Sequence, residues 1–158
     1  ACCVLGKHST AQRIEASIEL PRVVILRVLT ELDVSGMIEV DGSRILSRHD
    51  LLTTVVFTQM SKAAQCMLHR FAAAQLEAEA DVSHAVSLIW ESAEHWISAS
   101  DSGRAVLLLR RCGSHLLEVG LPDEAVQVLE RAETLVSTSI EQYQIGVEIV
   151  RALMLAQR

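Results

Sequence analysis

Apolar residues alternate with polar ones in only one stretch of the chain, Gly36 to Leu52, which reads GMIEVDGSRILSRHDLL. Two short apolar runs, Met37 to Val40 and Arg44 to Leu46, flank Asp41-Gly42, a pair whose central residues both tolerate positive φ. The stretch predicts a β-hairpin from Met37 to Ser47, with no strand after residue 48. Directly beyond it, Leu51, Leu52, Val55 and Val56 fall at helical spacing, so the hairpin passes into a helix at a buried His49-Asp50 step.

The rest of the chain has helical periodicity. Val4 and Leu5 read as the end of a helix stopped by Gly6. Ser9 with Gln12 three residues on has the capping-box pattern and opens a short helix to about Ile18. Pro21 suits a first helical position, and the helix it opens carries Ile25, Leu29 and Leu32 on one side before Gly36 closes it. Three helices and a hairpin within about fifty residues is the order of a winged-helix domain.

After the hairpin, a helix from about Asp50 to Met60 gives way at Ser61 to another with Ala64, Met67, Leu68 and Phe71 spaced for a buried stripe. A break is expected at Asp81 to Ser83. Ala85, Leu88, Ile89 and Trp96 mark the next helix, which the polar cluster Ser98 to Gly103 ends. Ala105, Leu108, Leu109, Cys112, Leu116 and Val119 share a face of the following one, up to Gly120. Pro122-Asp123-Glu124 starts a helix carrying Ala125, Val128, Leu129 and Ala132, and a last helix runs from about Ile140.

Composition agrees with packed helices. Half of the 158 residues are apolar but only 3% are aromatic, so the core is built from Leu, Val, Ile and Ala. No apolar run approaches the roughly 18 to 20 residues that span a bilayer. The chain opens on Ala1-Cys2-Cys3, which reads as a cut rather than a signal peptide. Cysteines at 2, 3, 66 and 112 form no C-x-x-C pair, and a reduced, cytoplasmic setting fits them best. Residues 1–60 hold six Lys/Arg against seven Asp/Glu, and residues 61–158 hold eight against thirteen. Neither part offers the basic face that binding to phosphates requires.

The later helices repeat. Leu109-x2-Cys112-Gly113-x2-Leu116 followed by Ala125-x3-Leu129-x2-Ala132 fits the tetratricopeptide pattern, in which a small residue lets two helices approach closely. The final Pro of that pattern is missing. The same spacing fits one helix earlier, through Ile89, Ala93 and Trp96 with Ala105, Leu109 and Cys112, which leaves the pairing register open. The expected fold is therefore mainly α, with a small winged-helix domain at 1–60 and an antiparallel tetratricopeptide-like helical array at 61–158.

Cys3-Val4-Leu5-Gly6, Leu20-Pro21, Leu29-Thr30-Glu31-Leu32, Ser35-Gly36-Met37-Ile38 and Arg48-His49-Asp50-Leu51 occur in that order. Together they resemble the winged-helix segment that follows the nucleotide-binding core in AAA-like (STAND) signal-transducing ATPases, including large LuxR-type transcriptional activators. Leu68-His69-Arg70 and Ala93-Glu94-His95 are similar to the opening of the helical arm that follows in that class. The resemblance implies a non-catalytic regulatory fragment of a transcriptional regulator, coupling the core to a helical sensor arm that takes a protein partner or small effector. The chain contains no G-x-x-x-x-G-K-[ST] loop, so it is not itself an enzyme on this reading, and an ATP/ADP-binding core would precede residue 1. The alternative is a free-standing tetratricopeptide-like adaptor whose N-terminal domain binds DNA.

Within the resemblance, His49 corresponds to a histidine that reaches the phosphates of bound ADP and holds the resting state closed, in the intact protein only. Its plainer reading is an ordinary helix start, with Asp50 capping and His49 half-buried. His69, His84, His95 and His115 lie on four expected helices without the close pairs of a zinc site, so no metal is expected. Cys2-Cys3 reads as buried helix rather than a redox pair. The helix after Pro21 presents Arg22 and Arg27 beside Glu31 and Asp33, and the hairpin presents Arg44 and Arg48 beside Glu39 and Asp41, a balance that argues against DNA contact.

Overall fold

A computed structural model describes residues 2–18 and 20–157, with the side chain of Cys3 outside that description. The expectation that Cys3 is buried therefore falls outside the described residues. The chain divides into two compact units, Ala1–Ala72 and Ala73–Arg158. The division lies inside one long helix, twelve residues beyond the boundary at 60/61 that the sequence suggests.

In the first unit, α1 (Cys2–Leu5) runs into a single 3-10 turn at Gly6–His8, followed by α2 (Ala11–Ser17) and α3 (Arg22–Val34). Strands β1 (Ile38–Asp41) and β2 (Arg44–Ser47) pair antiparallel, with Ile38 opposite Ser47 and Asp41 opposite Arg44. The hairpin is thus where the alternation places it, but its loop is Gly42-Ser43 and not Asp41-Gly42. Gly42 alone of the two loop residues has positive φ, at 59°, and Asp41 is drawn into the ladder by Arg44. The core gathers Val4, Leu5, Ile14, Ile25, Ile38, Ile45 and Ala72, with Leu29, Leu32, Phe57 and Leu68 packed around them.

The start of α2 is one residue later than the capping-box reading. Thr10 Oγ1 accepts from the Arg13 amide at 3.2 Å, while Ser9 is fully buried. The reason is β2: the Ile45 amide donates to the Ser9 carbonyl at 2.8 Å, and Thr10 bridges Arg44. That isolated bridge adds a third short extended segment to the expected hairpin. Pro21 likewise serves as the N-cap of α3 rather than its first residue, its carbonyl accepting from Val24 and Ile25.

Helix α4 (Asp50–Gln59) has no buried residue, and Leu51, Val55 and Val56 are exposed, unlike the expected apolar face. Helix α5 (Lys62–Ser83) buries Ala72, Ala73, Leu76 and Ala80, whereas Met67 and Phe71, expected in the stripe, flank it and stay exposed. The break expected at Asp81 to Ser83 comes at His84, whose φ of 55° ends the helix.

The second unit continues with α6 (Val86–Ser98), α7 (Ser102–Glu118), α8 (Pro122–Glu133) and α9 (Ser139–Ala156), each packed on the next. Connections of two to five residues turn the chain back at each step. Gly120, at φ 80°, lets the Leu121 amide reach the Leu116 carbonyl at 2.8 Å and so seals the end of α7. Val119, expected on the buried face, sits in that cap and is exposed. Ala105, Leu109, Cys112, Ala125, Leu129, Ala132, Ile145 and Ala152 form the centre of the core.

Ion pairs tie alternate helices: Asp81 of α5 to Arg111 of α7, Glu94 of α6 to Arg131 of α8, and Arg110 of α7 to Glu148 of α9. Helices α5, α7 and α9 are therefore neighbours in one row, and α6 and α8 in another. Trp96 joins three helices at once. Its Nε1 donates to Glu77 of α5 at 3.0 Å, and the Arg104 guanidinium of α7 stacks 4.5 Å from its ring centre. Ser92 Oγ, fully buried, donates to the Ala73 carbonyl at 2.8 Å.

At Gly113 the backbone of α7 lies close against α8. A Cβ placed there would lie 2.9 Å from both Cγ and Cδ2 of Leu129, which is itself buried. Gly113→Leu is expected to lower the stability of the second unit by about 1 to 3 kcal/mol or more, because the added side chain must push the helices apart. Thermal unfolding followed by circular dichroism checks this, and an unchanged midpoint would contradict the contact.

Candidate functional site

His49 is the N-cap of α4, with φ −136° and ψ 124°. Its carbonyl accepts from the Leu52 amide at 3.0 Å and from Ser47 Oγ at 3.1 Å, so the backbone at this step is pinned from both sides. The amide of Arg48 donates to the Met37 carbonyl at 3.2 Å, tying the hairpin exit to its entrance. Both His49 and Asp50 are exposed, which corrects the expected buried step. The N-cap residue precedes the helix in extended conformation, and the residue of α4 that packs on the core is Phe57, two turns further on. The imidazole makes no capping bond to α4, so it can donate or accept outward.

Beside this step lies an apolar groove of about 220 Å³, lined by Cys2, Leu32, Met37, Ile38, Leu52 and Val56 among others. A second hollow, of about 430 Å³, separates α2 from α3 and is lined by Ala11, Gln12, Glu15, Arg22, Ile25 and Leu26. Half of the exposed residues of α3 are apolar, Val23, Val24, Leu26 and Val28 among them. Its arginines are met by carboxylates, Arg22 by Glu15 at 3.8 Å and Arg27 by Glu31 at 3.0 Å. On the hairpin, Arg44 and Arg48 are exposed beside exposed Glu39 and Asp41.

The histidines set aside as metal ligands are distributed differently from the sequence expectation. His84 sits at the turn between α5 and α6 rather than on a helix, and it lines a cleft of about 220 Å³ with Arg111, Ser114, His115 and Glu118. That meeting of His84 with His115 was not readable from spacing, since it depends on α5 and α7 lying side by side. Among the described residues, no group of three or more His, Cys, Asp or Glu side chains is placed to hold a metal ion. Of the thiols, Cys2 and Cys66 are half-buried and Cys112 is buried, where desolvation pushes its pKa up to about 11 and makes the thiolate scarce. Among the described residues, no helix is long and apolar enough to cross a membrane.

Burial holds the His69 imidazole below its ordinary value, because it disfavours the imidazolium; the ring packs edge-on against Phe57 at 5.7 Å between centres. Since the unfolded chain binds the proton more readily, this site stabilises the first unit above about pH 6.5 and loses that contribution as pH falls through the lowered value. Melting curves of the chain and of His69→Phe between pH 7.5 and 5 should show a steeper acid loss in the chain than in the variant. Equal slopes would contradict the assignment. Compared with protein-family models, with curated proteins and with solved structures, the chain matches none.

Proposed function

We propose that the chain is a non-catalytic regulatory piece of a signal-transducing ATPase that acts as a transcriptional regulator. Residues 1–60 act as a winged-helix module that couples a nucleotide-binding core to the helices beyond. Those helices form a tetratricopeptide-like arm for a protein partner or small effector. The observation that carries the reading is the surface of α3. In a winged helix that reads DNA this helix bears the cations, whereas here it bears exposed Val23, Val24, Leu26 and Val28, and its arginines are engaged by Glu15 and Glu31. Such a helix suits a protein neighbour.

Two further observations support it. The order α1, extended Ser9-Thr10 against β2, α2, α3 and hairpin agrees with the winged-helix reading. In the later helices, the close contact of Gly113 with Leu129 suits the tetratricopeptide reading, in which a small residue lets two helices approach. Toward ATP or ADP the chain offers a peripheral contact only, the outward imidazole of His49; the phosphate cradle and its lysine belong to the core in this reading.

A single charge-assisted hydrogen bond from His49 contributes about 1.5 to 3 kcal/mol, which biases a two-state switch roughly 10- to 100-fold. Calorimetric titration of the chain with ATP and ADP is expected to show no binding. In a protein that carries the core, His49→Ala is expected to raise basal output in a reporter assay. Tight nucleotide binding by the chain alone, or lower basal output from the variant, would overturn the reading.

A further inference from the structure

Helix α4 is the only described α-helix that buries none of its residues. Its own sequence holds it weakly. Half of its ten residues are the β-branched Thr53, Thr54, Val55, Val56 and Thr58, each less favourable in a helix than alanine. A helix of this length is marginal in water even when rich in alanine, so docking decides whether it forms. That docking is thin in the middle, where an apolar groove of about 220 Å³ is lined by Leu52 and Val56 of α4 and by Cys2, Leu32, Met37 and Ile38 of the rest of the unit. A gap there forfeits the dispersion contacts that close packing gives. The helix is fastened at its ends instead. Phe57 packs on the core and meets His69 edge-on, and Gln65 Nε2 donates to the carbonyls of Phe57 at 2.7 Å and Met60 at 3.3 Å. At the start, Ser47 Oγ donates to the His49 carbonyl at 3.1 Å.

We infer that α4 is a releasable strap, clasped by Gln65, that lifts in one piece from the rest of the first unit. The chain on either side has its own anchors. The Arg48 amide is bonded to the Met37 carbonyl, and Ser61 Oγ accepts from the Ala64 amide at 3.2 Å to start α5, so the movement is confined between Arg48 and Ser61. His49 travels with the strap, because its carbonyl accepts from the amides of Leu52 at 3.0 Å and Thr53 at 3.4 Å. A contact that its imidazole makes in only one of the two states therefore shifts the docking of α4, and docking shifts the contact. The role of the strap rests on the regulatory reading above, which requires a two-state element beside His49. Its mechanics rest on this chain alone. Hydrogen exchange in the chain thus decides whether the strap exists, and reporter output from His49→Ala decides its role.

Native-state hydrogen exchange of the chain, resolved by residue, tests the strap. Amides of residues 54–59 should exchange through one shared opening, at least about tenfold more populated than the openings that expose the amides of α3. Gln65→Ala keeps a good helix former in α5 and should raise that population about fivefold, the contribution of a typical hydrogen bond, with the amides of α3 unchanged as the control. Thr54→Ala, at an exposed position whose hydroxyl donates to the Asp50 carbonyl of the same helix, should lower it about threefold, because alanine is the better helix former. Protection in α4 equal to that in α3 would overturn the inference, as would Gln65→Ala without effect on α4. So would exchange rates that grade from one end of α4, since that is fraying rather than release.

Discussion

The second unit depends on how closely α7 can approach α8, and Gly113 sets that distance. With hydrogen in place of a side chain, the backbone of α7 rests on Leu129, and Cys112, Ala125 and Ala132 fill the space around the contact. The neighbouring interfaces use the same device with other small residues. Ser92, Cys112, Ala132 and Ala152 recur at an interval of 20 and are all buried, one on each of four successive helices. Small residues at this position keep each helix tight against its neighbours, and the leucines and isoleucines between them supply the apolar burial, about 1.5 to 3 kcal/mol for each large side chain.

Polar contacts then fix the order of the stack. The pairs Asp81 with Arg111, Glu94 with Arg131 and Arg110 with Glu148 each skip one helix, and the Glu77, Trp96 and Arg104 set ties three. Pairs at this degree of exposure contribute little stability, typically under about 1 kcal/mol each. Their value is positional, since each is satisfied only when alternate helices lie side by side. In the first unit the organising element is β2, which takes the Ser9 carbonyl and the Thr10 bridge and so settles where α2 begins.

Much of this was legible from residue types whose conformational demands are local. Gly36 and Gly120 end helices at positive φ, Pro122 begins one, and the alternation around Gly42 makes the hairpin. What was not legible depends on partners distant in sequence. Ser9 carries the better capping pattern, yet Thr10 caps, because the Ile45 amide occupies the Ser9 carbonyl and the first bond of the helix falls to that of Thr10. Met67 and Phe71 fit a helical stripe as well as Leu68 and Ala72 do, and periodicity cannot tell which of two adjacent stripes meets a core. The pairing register seemed open for a physical reason: the interval of 20 is one helix with its turn, so each helix is the second of one pair and the first of the next. At the candidate site, the place of His49 before α4 followed from the sequence, but its exposure did not, because it depends on which turn of α4 first reaches the core.

The close approach at Gly113 is tested most directly by a double-mutant cycle with Leu129. Alanine is the better helix former by about 1 kcal/mol, so Gly113→Ala should stabilise a helix with room for a methyl group and destabilise one without it. Measured by chemical denaturation, Gly113→Ala is expected to lower stability when Leu129 is present and to raise it in a Leu129→Ala background, a reversal of sign between the two arms. The same effect in both backgrounds would show that Gly113 and Leu129 do not touch, and would contradict the account of how these helices pack.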